Sequence, residues 1–514
     1  MKILLATVPP WLPYHSYLSV PLLTGILKEN GFSVIQKDYN VEFYNNILSS
    51  GEINAQFKLF AKQGATNPDP KKQGLVEISE YLTGQIDMFK SSVKQEESYN
   101  DEKLVQNSFE MLDLTLKTFS LNFPEIELAL GEVKYLFDHY DIDEVFKYIY
   151  DDGNFFRYYF TKYHLQEIQK EQPDVAGFSI TTAEQLIPAL TFAQILREYK
   201  SDIRIFLGGS YISRVAQNLI TDNRFNELVN SVLRGYSEDT IGELMQAYQH
   251  GRELDHIAGI LYRKGENIIN APLPSYKFIK DVPFPNFDNL PFDLYFSPYR
   301  KLPVELSKGC YWGKCKFCEL NNEVYTAKTA ERIFSEVAYL HNRYNVSHFP
   351  FVSASPSPKL LYAIATKIKE AGLKITWSTM IRPEAYIDEM FAQRLYDGGM
   401  RLAKIGFESG SQKMLDAMNK GMYVESNKNV LRALHMAGIN VHGYFMYGYH
   451  GETLSDIKKT ESFIKEGQSM LASMATSFYT DIYQPARGLR IYKDADKKSM
   501  YNLKILLEDG NNKR

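Results

Sequence analysis

The chain opens on a short apolar run, Lys2-Ile3-Leu4-Leu5-Ala6-Thr7, that stops at Pro9-Pro10. A continuous apolar run bounded by proline predicts a strand buried on both faces of a parallel sheet. Residues 20–29 carry apolar positions at helical spacing and end at Asn30-Gly31, a helix stop, after which Phe32-Ser33-Val34-Ile35 restarts a strand. The pattern resumes at Asp174-Val175-Ala176-Gly177-Phe178-Ser179-Ile180, with a helix over 184–199 and a strand over 203–207 that ends in Gly208-Gly209-Ser210. An irregular helix and Ser231-Val232-Leu233-Arg234-Gly235 follow. Strands and helices alternating through short connections predict a parallel sheet with helices on its faces. Ligands of such sheets bind beyond the carboxyl ends of the strands, where Ser179, Gly208, Gly209 and Gly235 fall.

Between these two stretches the pattern changes. Segments 104–119 and 126–137 repeat apolar residues every three or four positions, so 51–171 reads as a helical insertion. Its dense aromatics, Phe146, Tyr148, Tyr150, Phe155, Phe156, Tyr158, Tyr159 and Phe160, are expected in its core, with a substrate-facing wall as the sharper alternative. Six prolines between 271 and 300 predict an irregular linker wrapping between domains. Beyond it, strands are expected over 303–307, 347–352, 374–377, 401–407, 440–446 and 475–483, with helices over 330–344, 358–369, 389–396 and 427–436. These six steps predict a partial or full β/α barrel over 301–490, with functional loops at the carboxyl strand ends, then a polar tail over 491–514. The fold class is α/β: a Rossmann-like sheet from 1–50 and 172–270, then the barrel.

Composition narrows the function. A chain of 514 residues holds two to four domains, each able to bury its own core. With 58 Lys+Arg against 62 Asp+Glu, the net charge of −4 argues against nucleic acid as the main partner. No apolar run reaches the roughly 18 residues of a membrane span. Pro9, Pro10 and Pro13 interrupt the apolar start too early for a signal peptide, so a cytoplasmic protein is expected. The three cysteines, Cys310, Cys315 and Cys318, are the most telling residues. An odd number so close together is no disulfide framework and suits a reducing compartment. It reads as a ligand set.

Those cysteines lie in Ser307-Lys308-Gly309-Cys310-Tyr311-Trp312-Gly313-Lys314-Cys315-Lys316-Phe317-Cys318, directly after the first barrel strand. Structural zinc wants four closed ligands, and the nearest histidines, His341 and His348, are remote in sequence. A 2Fe-2S centre of this spacing needs a fourth cysteine, which the chain lacks. A 4Fe-4S cluster on three thiolates keeps one iron open for chemistry, and fits best.

In this setting the loop resembles that of the radical S-adenosylmethionine enzymes. Their common spacing is C-x3-C-x2-C. The longer C-x4-C-x2-C here, and the wording Gly-Cys-Tyr-Trp-Gly-Lys-Cys-Lys-Phe-Cys, are similar to a subgroup in which a cobalamin-binding-like α/β domain precedes the barrel. The resemblance covers 1–45 and 173–490. It implies that Cys310, Cys315 and Cys318 ligate three irons, and it puts Phe317 among the cofactor-binding residues. Gly406-Phe407-Glu408-Ser409-Gly410-Ser411, with Met418-Asn419-Lys420-Gly421, is similar to the segment that approaches the ribose and methionine of S-adenosylmethionine. This makes Glu408 and Ser409 candidates, against the plainer reading of a capped helix start.

Gly448-Tyr449-His450-Gly451-Glu452-Thr453 resembles the family's Gly-x-Pro-Gly-Glu turn near the adenine, bringing in Gly448 and Glu452; His450 replaces the proline and is not taken as catalytic. Arg382 matches a common arginine of the subgroup, with a surface salt bridge as the alternative. The chain departs from the subgroup after the second barrel strand, where Phe351-Val352-Ser353-Ala354-Ser355 offers hydroxyls instead of the frequent acids, so amine binding there is weakened or reassigned. Thr7-Val8-Pro9-Pro10-Trp11 stands where cobalamin domains often carry D-x-H-x-x-G, and His15 reads as a loop histidine. Ser179-Ile180-Thr181 and Gly208-Gly209 are similar to the S-x-L and G-G elements that accommodate the cobalamin nucleotide tail, and the segment around Gly235 resembles another subgroup element.

The resemblance implies a 4Fe-4S cluster, S-adenosylmethionine and cobalamin, and a methyltransferase acting on an unactivated carbon. It also implies a small-molecule or peptide substrate and an external electron donor such as a flavodoxin or ferredoxin. Radical rearrangement, cyclisation or oxidation is the alternative chemistry, and a non-catalytic cluster or corrin carrier the alternative class. With all three cysteines committed, no auxiliary cysteine-ligated cluster, methyl-carrying cysteine or thiolate nucleophile is expected.

Overall fold

The apolar run at the amino terminus forms the strand Lys2–Thr7 in the computed structural model, which describes residues 1–62, 70–274, 282–318, 320 and 324–479. The described chain divides into two compact units, one from residues up to 274 together with 282–300, the other from 301 onwards.

In the first unit, Lys2–Thr7 is buried from Ile3 onwards because it has parallel neighbours on both sides, Ser33–Asp38 and Val175–Ser179. Arg204–Gly208 and Ser231–Leu233 extend the sheet in parallel. Two antiparallel strands, Ile260–Lys264 and Asn267–Asn270, complete seven strands. This last hairpin was not expected; its apolar runs, Ile260-Leu261-Tyr262 and Ile268-Ile269, are only two or three residues long on either side of the turn at Gly265, where φ is 60°. The strand order reverses between Lys2–Thr7 and Val175–Ser179, so a crevice for a ligand opens beyond Thr7 and Ser179.

The insertion holds helices such as Ser50–Lys62, Ser79–Ser92, Glu102–Leu116 and Phe155–Tyr163. The helix expected over 126–137 is instead the antiparallel hairpin Ile126–Ala129 and Glu132–Tyr135. Ile126, Leu128, Val133 and Tyr135 are its buried residues. They alternate along each strand, and the turn at Leu130-Gly131 shifts the phase so that the whole segment mimics helical spacing. Among the aromatics, Phe155, Phe156, Tyr159 and Phe160 are fully buried and Tyr150 is exposed. They pack on the sheet's own helices: Phe43 meets Tyr159 edge-on at 4.9 Å and Phe160 stacks on Phe192 at 4.3 Å. The same cluster runs on to Leu4, Ala6 and Phe178 of the sheet, so these rings are core.

The proline-rich segment is laid down on the first unit over its described part. Asn286 N donates to the Pro21 carbonyl at 2.9 Å, Asn45 Nδ2 to the Leu294 carbonyl at 2.8 Å, and Tyr295 OH to Asp38 Oδ2 at 2.7 Å. Gly25 is required beneath it, because a Cβ there would stand 2.6 Å from the Phe284 carbonyl oxygen.

The second unit is a six-stranded, all-parallel sheet in sequential order: Val304–Glu305, His348–Val352, Thr376–Ile381, Met400–Glu408, Asn440–Tyr447 and Ser473–Phe478. Sequential parallel order with right-handed crossovers puts the intervening helices on one face. Ala403, Ile405 and Phe407 point to that face, with the Phe407 ring 5.2 Å from Phe463 of helix Leu454–Gly467. The final strand was expected over 475–483, of which 480–483 lie outside the described residues, as does the polar tail 491–514. Among the described residues no helix is long and apolar enough to cross a membrane.

Asp38 gives the fold a measurable pH signature. It caps helix Tyr39–Ile47, accepting from Val41 N, and also takes the Tyr295 hydroxyl. Burial outweighs both bonds and raises its carboxyl from 3.8 to about 6. Between those values the native state keeps a proton that the unfolded chain has lost, so stability falls as pH rises, by up to about 3 kcal/mol. Asparagine keeps the cap and the acceptor without the charge. Asp38→Asn is therefore expected to gain on the wild type between pH 4 and pH 7, by a few degrees in melting temperature. An equal difference at both pH values would contradict this.

Candidate functional site

The cysteine loop is closed at its base by a two-stranded bridge, Ser307 opposite Ala327 and Lys308 opposite Thr326. Gly309 turns the chain with φ of 68°, and a Cβ there would stand 3.0 Å from the Val324 carbonyl oxygen. Cys310 then pairs as a bridge with Ser355, in the loop after the second strand, and Tyr311 N donates to the Ser355 carbonyl at 3.3 Å. Cys315 N to Cys318 N is a tight turn, with Cys318 N donating to the Cys315 carbonyl at 3.2 Å. Cys315 is buried, Cys310 and Cys318 are half-buried, and all three are free thiols.

The loop rests on residues 418–421. Lys316 N donates to the Met418 carbonyl at 2.9 Å, Trp312 Nε1 to the Asn419 carbonyl at 3.0 Å, and Asn419 Nδ2 to the Lys314 carbonyl at 2.9 Å. Arg382 is 5% exposed, so it is no surface salt bridge. Its Nη2 donates to the Lys420 carbonyl at 2.6 Å, its Nε meets Glu384 at 3.0 Å, and its guanidinium lies 4.5 Å over the Trp312 ring. Tyr311 OH closes the group by donating to Glu384. Lys420 sends its ammonium the other way, to Glu408 Oε1 at 2.7 Å and over the Phe317 ring at 5.6 Å.

Lys420 and Trp312 stand in motifs noted in the sequence without being named as site residues, and Glu384 was not noted. Lys420 stands twelve residues beyond Glu408, across the helix Gln412–Ala417, and no local spacing rule joins them.

The other candidates fall into place around the carboxyl strand ends. Glu408 ends the strand Met400–Glu408 with φ of 61°. Ser409 is fully buried and its hydroxyl is shared with Thr460 at 2.9 Å, so that side chain ties the strand to helix Leu454–Gly467. Gly448 N donates to Glu452 Oε2 after the fifth strand, while burial raises the Glu452 carboxyl. Ser353 Oγ pairs with Ser307 Oγ. Buried and without a hydrogen-bond partner among the described residues are Ser355 Oγ, beside Cys310, and Glu452 Oε1.

In the first unit, Ser179, Thr181, Gly208, Gly209 and Gly235 all lie at carboxyl strand ends. Ser179 Oγ accepts from Ser19 Oγ at 2.8 Å, and Thr181 Oγ1 donates to Gln185 Oε1 at 2.9 Å. Gly209, with φ of 116°, is irreplaceable on steric grounds, since a Cβ would fall 2.3 Å from the Ile180 carbonyl oxygen. Gly235 N donates to Ser213 Oγ at 3.1 Å.

The donor chemistry fits an iron–sulfur cluster. Among the described residues no three Cys, His, Asp or Glu side chains stand at metal-holding distance, so the thiols share a loop without being closed on a point. Burial raises the Cys315 and Cys318 thiols, and the other thiols add to it, whereas Lys420 and Arg382 favour the Cys315 thiolate. Soft donors beside two cations suit an anionic metal centre. The unpartnered Ser355 and Glu452 oxygens leave polar capacity for a ligand at the same strand ends.

Residues 304–464 match the Radical SAM superfamily. An uncharacterized methyltransferase of Pyrococcus horikoshii is 27% identical over 58% of this chain and 65% of its own length. The anaerobic magnesium-protoporphyrin IX monomethyl ester cyclase of Rubrivivax gelatinosus is 22% identical over 62% of this chain and 59% of its own. The chain thus spans less than two thirds of the length of these curated relatives. Two solved structures share the fold. The cobalamin-dependent S-adenosylmethionine radical enzyme OxsB, with aqua-cobalamin and S-adenosylmethionine bound, has a TM-score of 0.58 at 15% identity, over 90% of this chain and 51% of that one. The radical S-adenosylmethionine methyltransferase TsrM of Kitasatospora setae, with cobalamin and a 4Fe-4S cluster bound, gives 0.55 at 13%, over 93% and 72%.

The Arg382 contacts predict how the loop fails. Lysine keeps the charge but loses the flat stack on Trp312 and the forked donors, a loss of about 1–3 kcal/mol. Arg382→Lys is expected to fold normally by circular dichroism and yet retain at most half the wild-type iron after reconstitution and desalting. Full iron retention would show that the stack does not hold the loop.

Proposed function

Because the chain belongs to the radical S-adenosylmethionine (SAM) superfamily, we propose that it is a cobalamin-dependent methyltransferase acting on an unactivated carbon. The observation that carries this reading is the three-thiol loop seated on Lys420 and Arg382 at the carboxyl ends of a parallel sheet. The fold likeness to OxsB and TsrM supports it, because it extends over 90% and 93% of the chain.

Cys310, Cys315 and Cys318 would hold the cluster, and Arg382 would position their loop through Trp312 and the Lys420 carbonyl. Glu452 would present its unpartnered oxygen to SAM, with Gly448 fixing the other oxygen. Glu408 would meet SAM only by sharing its charge with Lys420, and Phe317 would cover that pair. Ser179, Thr181, Gly208, Gly209 and Gly235 would line the tail of the corrin beyond the first sheet. When bound, the cluster with SAM supplies a 5′-deoxyadenosyl radical, and cobalamin a transferable methyl group. The substrate is then a small molecule or peptide, and the electron comes from an external donor such as a flavodoxin or ferredoxin. Likeness to the cyclase of Rubrivivax gelatinosus favours a second reading, radical cyclisation or oxidation without methyl transfer.

The test uses anaerobically reconstituted protein, incubated with hydroxocobalamin and desalted, beside Cys315→Ala. About four irons per chain and a retained corrin absorption band are expected, with iron lost in the variant and 5′-deoxyadenosine released from SAM by dithionite. Iron without corrin would remove the methyl-transfer reading and leave the second one. Absence of iron would sink both.

A further inference from the structure

The second sheet carries an unexplained group of cations on the face turned away from its helices. Ala403, Ile405 and Phe407 face the helices, so Lys404 points to the opposite face, on the side of Glu408. In register beside Lys404 stand Met380 and His442, and beside His442 stands Ser473. Lys301, just before the first strand, pairs as a bridge with His348, which aligns with Thr376. Both histidines are satisfied by hydroxyls, His348 Nδ1 by Thr376 Oγ1 and His442 Nδ1 by Ser473 Oγ, each at 2.7 Å.

The two lysines are not satisfied. Both are half-buried, and neither ammonium group has a hydrogen bond or an ion pair among the described residues. The acids of that face do not serve them, since Glu408 is taken by Lys420 and Glu305 is paired with neither. Burial lowers both ammonium groups, and the Lys404 charge further opposes those of Lys301 and His442. Cations gathered in a partly dry place without a counter-charge are costly unless something anionic arrives to meet them.

We propose that Lys301 and Lys404 form the anion-binding end of the substrate site, so that the substrate carries a carboxylate or phosphate group. The assignment rests on the reading of this sheet as the reacting unit. Lys404 precedes Glu408 by four residues on one strand, about 13 Å along it. The anionic group is thereby held deep in the sheet while the rest of a small molecule extends towards the strand ends that carry the cysteine loop.

The test is calorimetric titration of the reconstituted full chain with sodium phosphate and, separately, sodium acetate at constant ionic strength. The wild type is compared with Lys301→Met, Lys404→Met, the double variant and the surface control Lys458→Met. Saturable binding is expected, with the stronger of the two probes identifying phosphate or carboxylate. Each single variant should weaken it roughly tenfold or more, the double variant should abolish it, and Lys458→Met should bind as the wild type. Iron content and melting temperature on the same samples check folding; Lys404→Met, relieved of an unpaired charge, should melt no lower than the wild type in anion-free buffer. No saturable binding of either anion, or binding unchanged in both single variants, overturns the proposal. Lysine-dependent anion binding in a wild type that releases no 5′-deoxyadenosine would overturn the radical reading and leave the anion site standing.

Discussion

A carboxylate buried at the end of a strand needs a cation, and the pairing of Glu408 with Lys420 at 2.7 Å organises everything around the cysteine loop. Removing one member of such a pair costs about 3–5 kcal/mol, because the other charge is stranded. The pair dictates its neighbours. Glu408 adopts φ of 61°, and its carboxylate folds back over Gly406, where a Cβ would stand 2.3 Å from it. Gly410 is needed because a Cβ would meet the Lys459 carbonyl at 2.4 Å, and Ser411 Oγ donates to the buried Asp456 at 2.7 Å. The Gly-Phe-Glu-Ser-Gly-Ser wording is thus one steric and electrostatic solution to placing a charged side chain beneath the thiols.

The same pair explains why an arginine is built into the second unit. With its ammonium committed to Glu408, Lys420 leaves its carbonyl pointing back, and Arg382 takes it. The guanidinium then has one face for Trp312, and its neighbour Glu384 has an oxygen for Tyr311. The loop is held by backbone and ring contacts, and its thiols are tied up in no disulfide; among the described residues only the Cys318 sulfur takes a backbone hydrogen bond, from Leu320.

Much of this was legible in the sequence because it depends on local pattern. Buried strands such as Lys2–Thr7 and Asn440–Tyr447 announce themselves as apolar runs, and the cysteines by their spacing alone. What was hidden depends on long-range partners. The hairpin Ile126–Ala129 and Glu132–Tyr135 passes for a helix until its pairing is known. Nothing in the chain near Lys420 or Lys404 tells which of them will find a carboxylate. Ser409 is a candidate through the likeness of its Gly406–Ser411 segment to a cofactor-approaching one, and only the fold reveals that its hydroxyl is shared with Thr460.

The shared aromatic core of the first unit has a consequence for how the protein is assembled during synthesis. Lys2–Thr7 and Ser33–Asp38 emerge early, and their next sheet partner, Val175–Ser179, follows only after the whole insertion has been made. Two strands alone are marginal in water. Tyr39 and Phe43, just after the second strand, bury themselves against Phe155, Tyr159 and Phe160 of the insertion. Helix Ser19–Glu29 already covers Ile3 and Leu5 on one face, and the insertion supplies the apolar cover of the other face, that of Leu4 and Ala6, before the later strands complete the sheet.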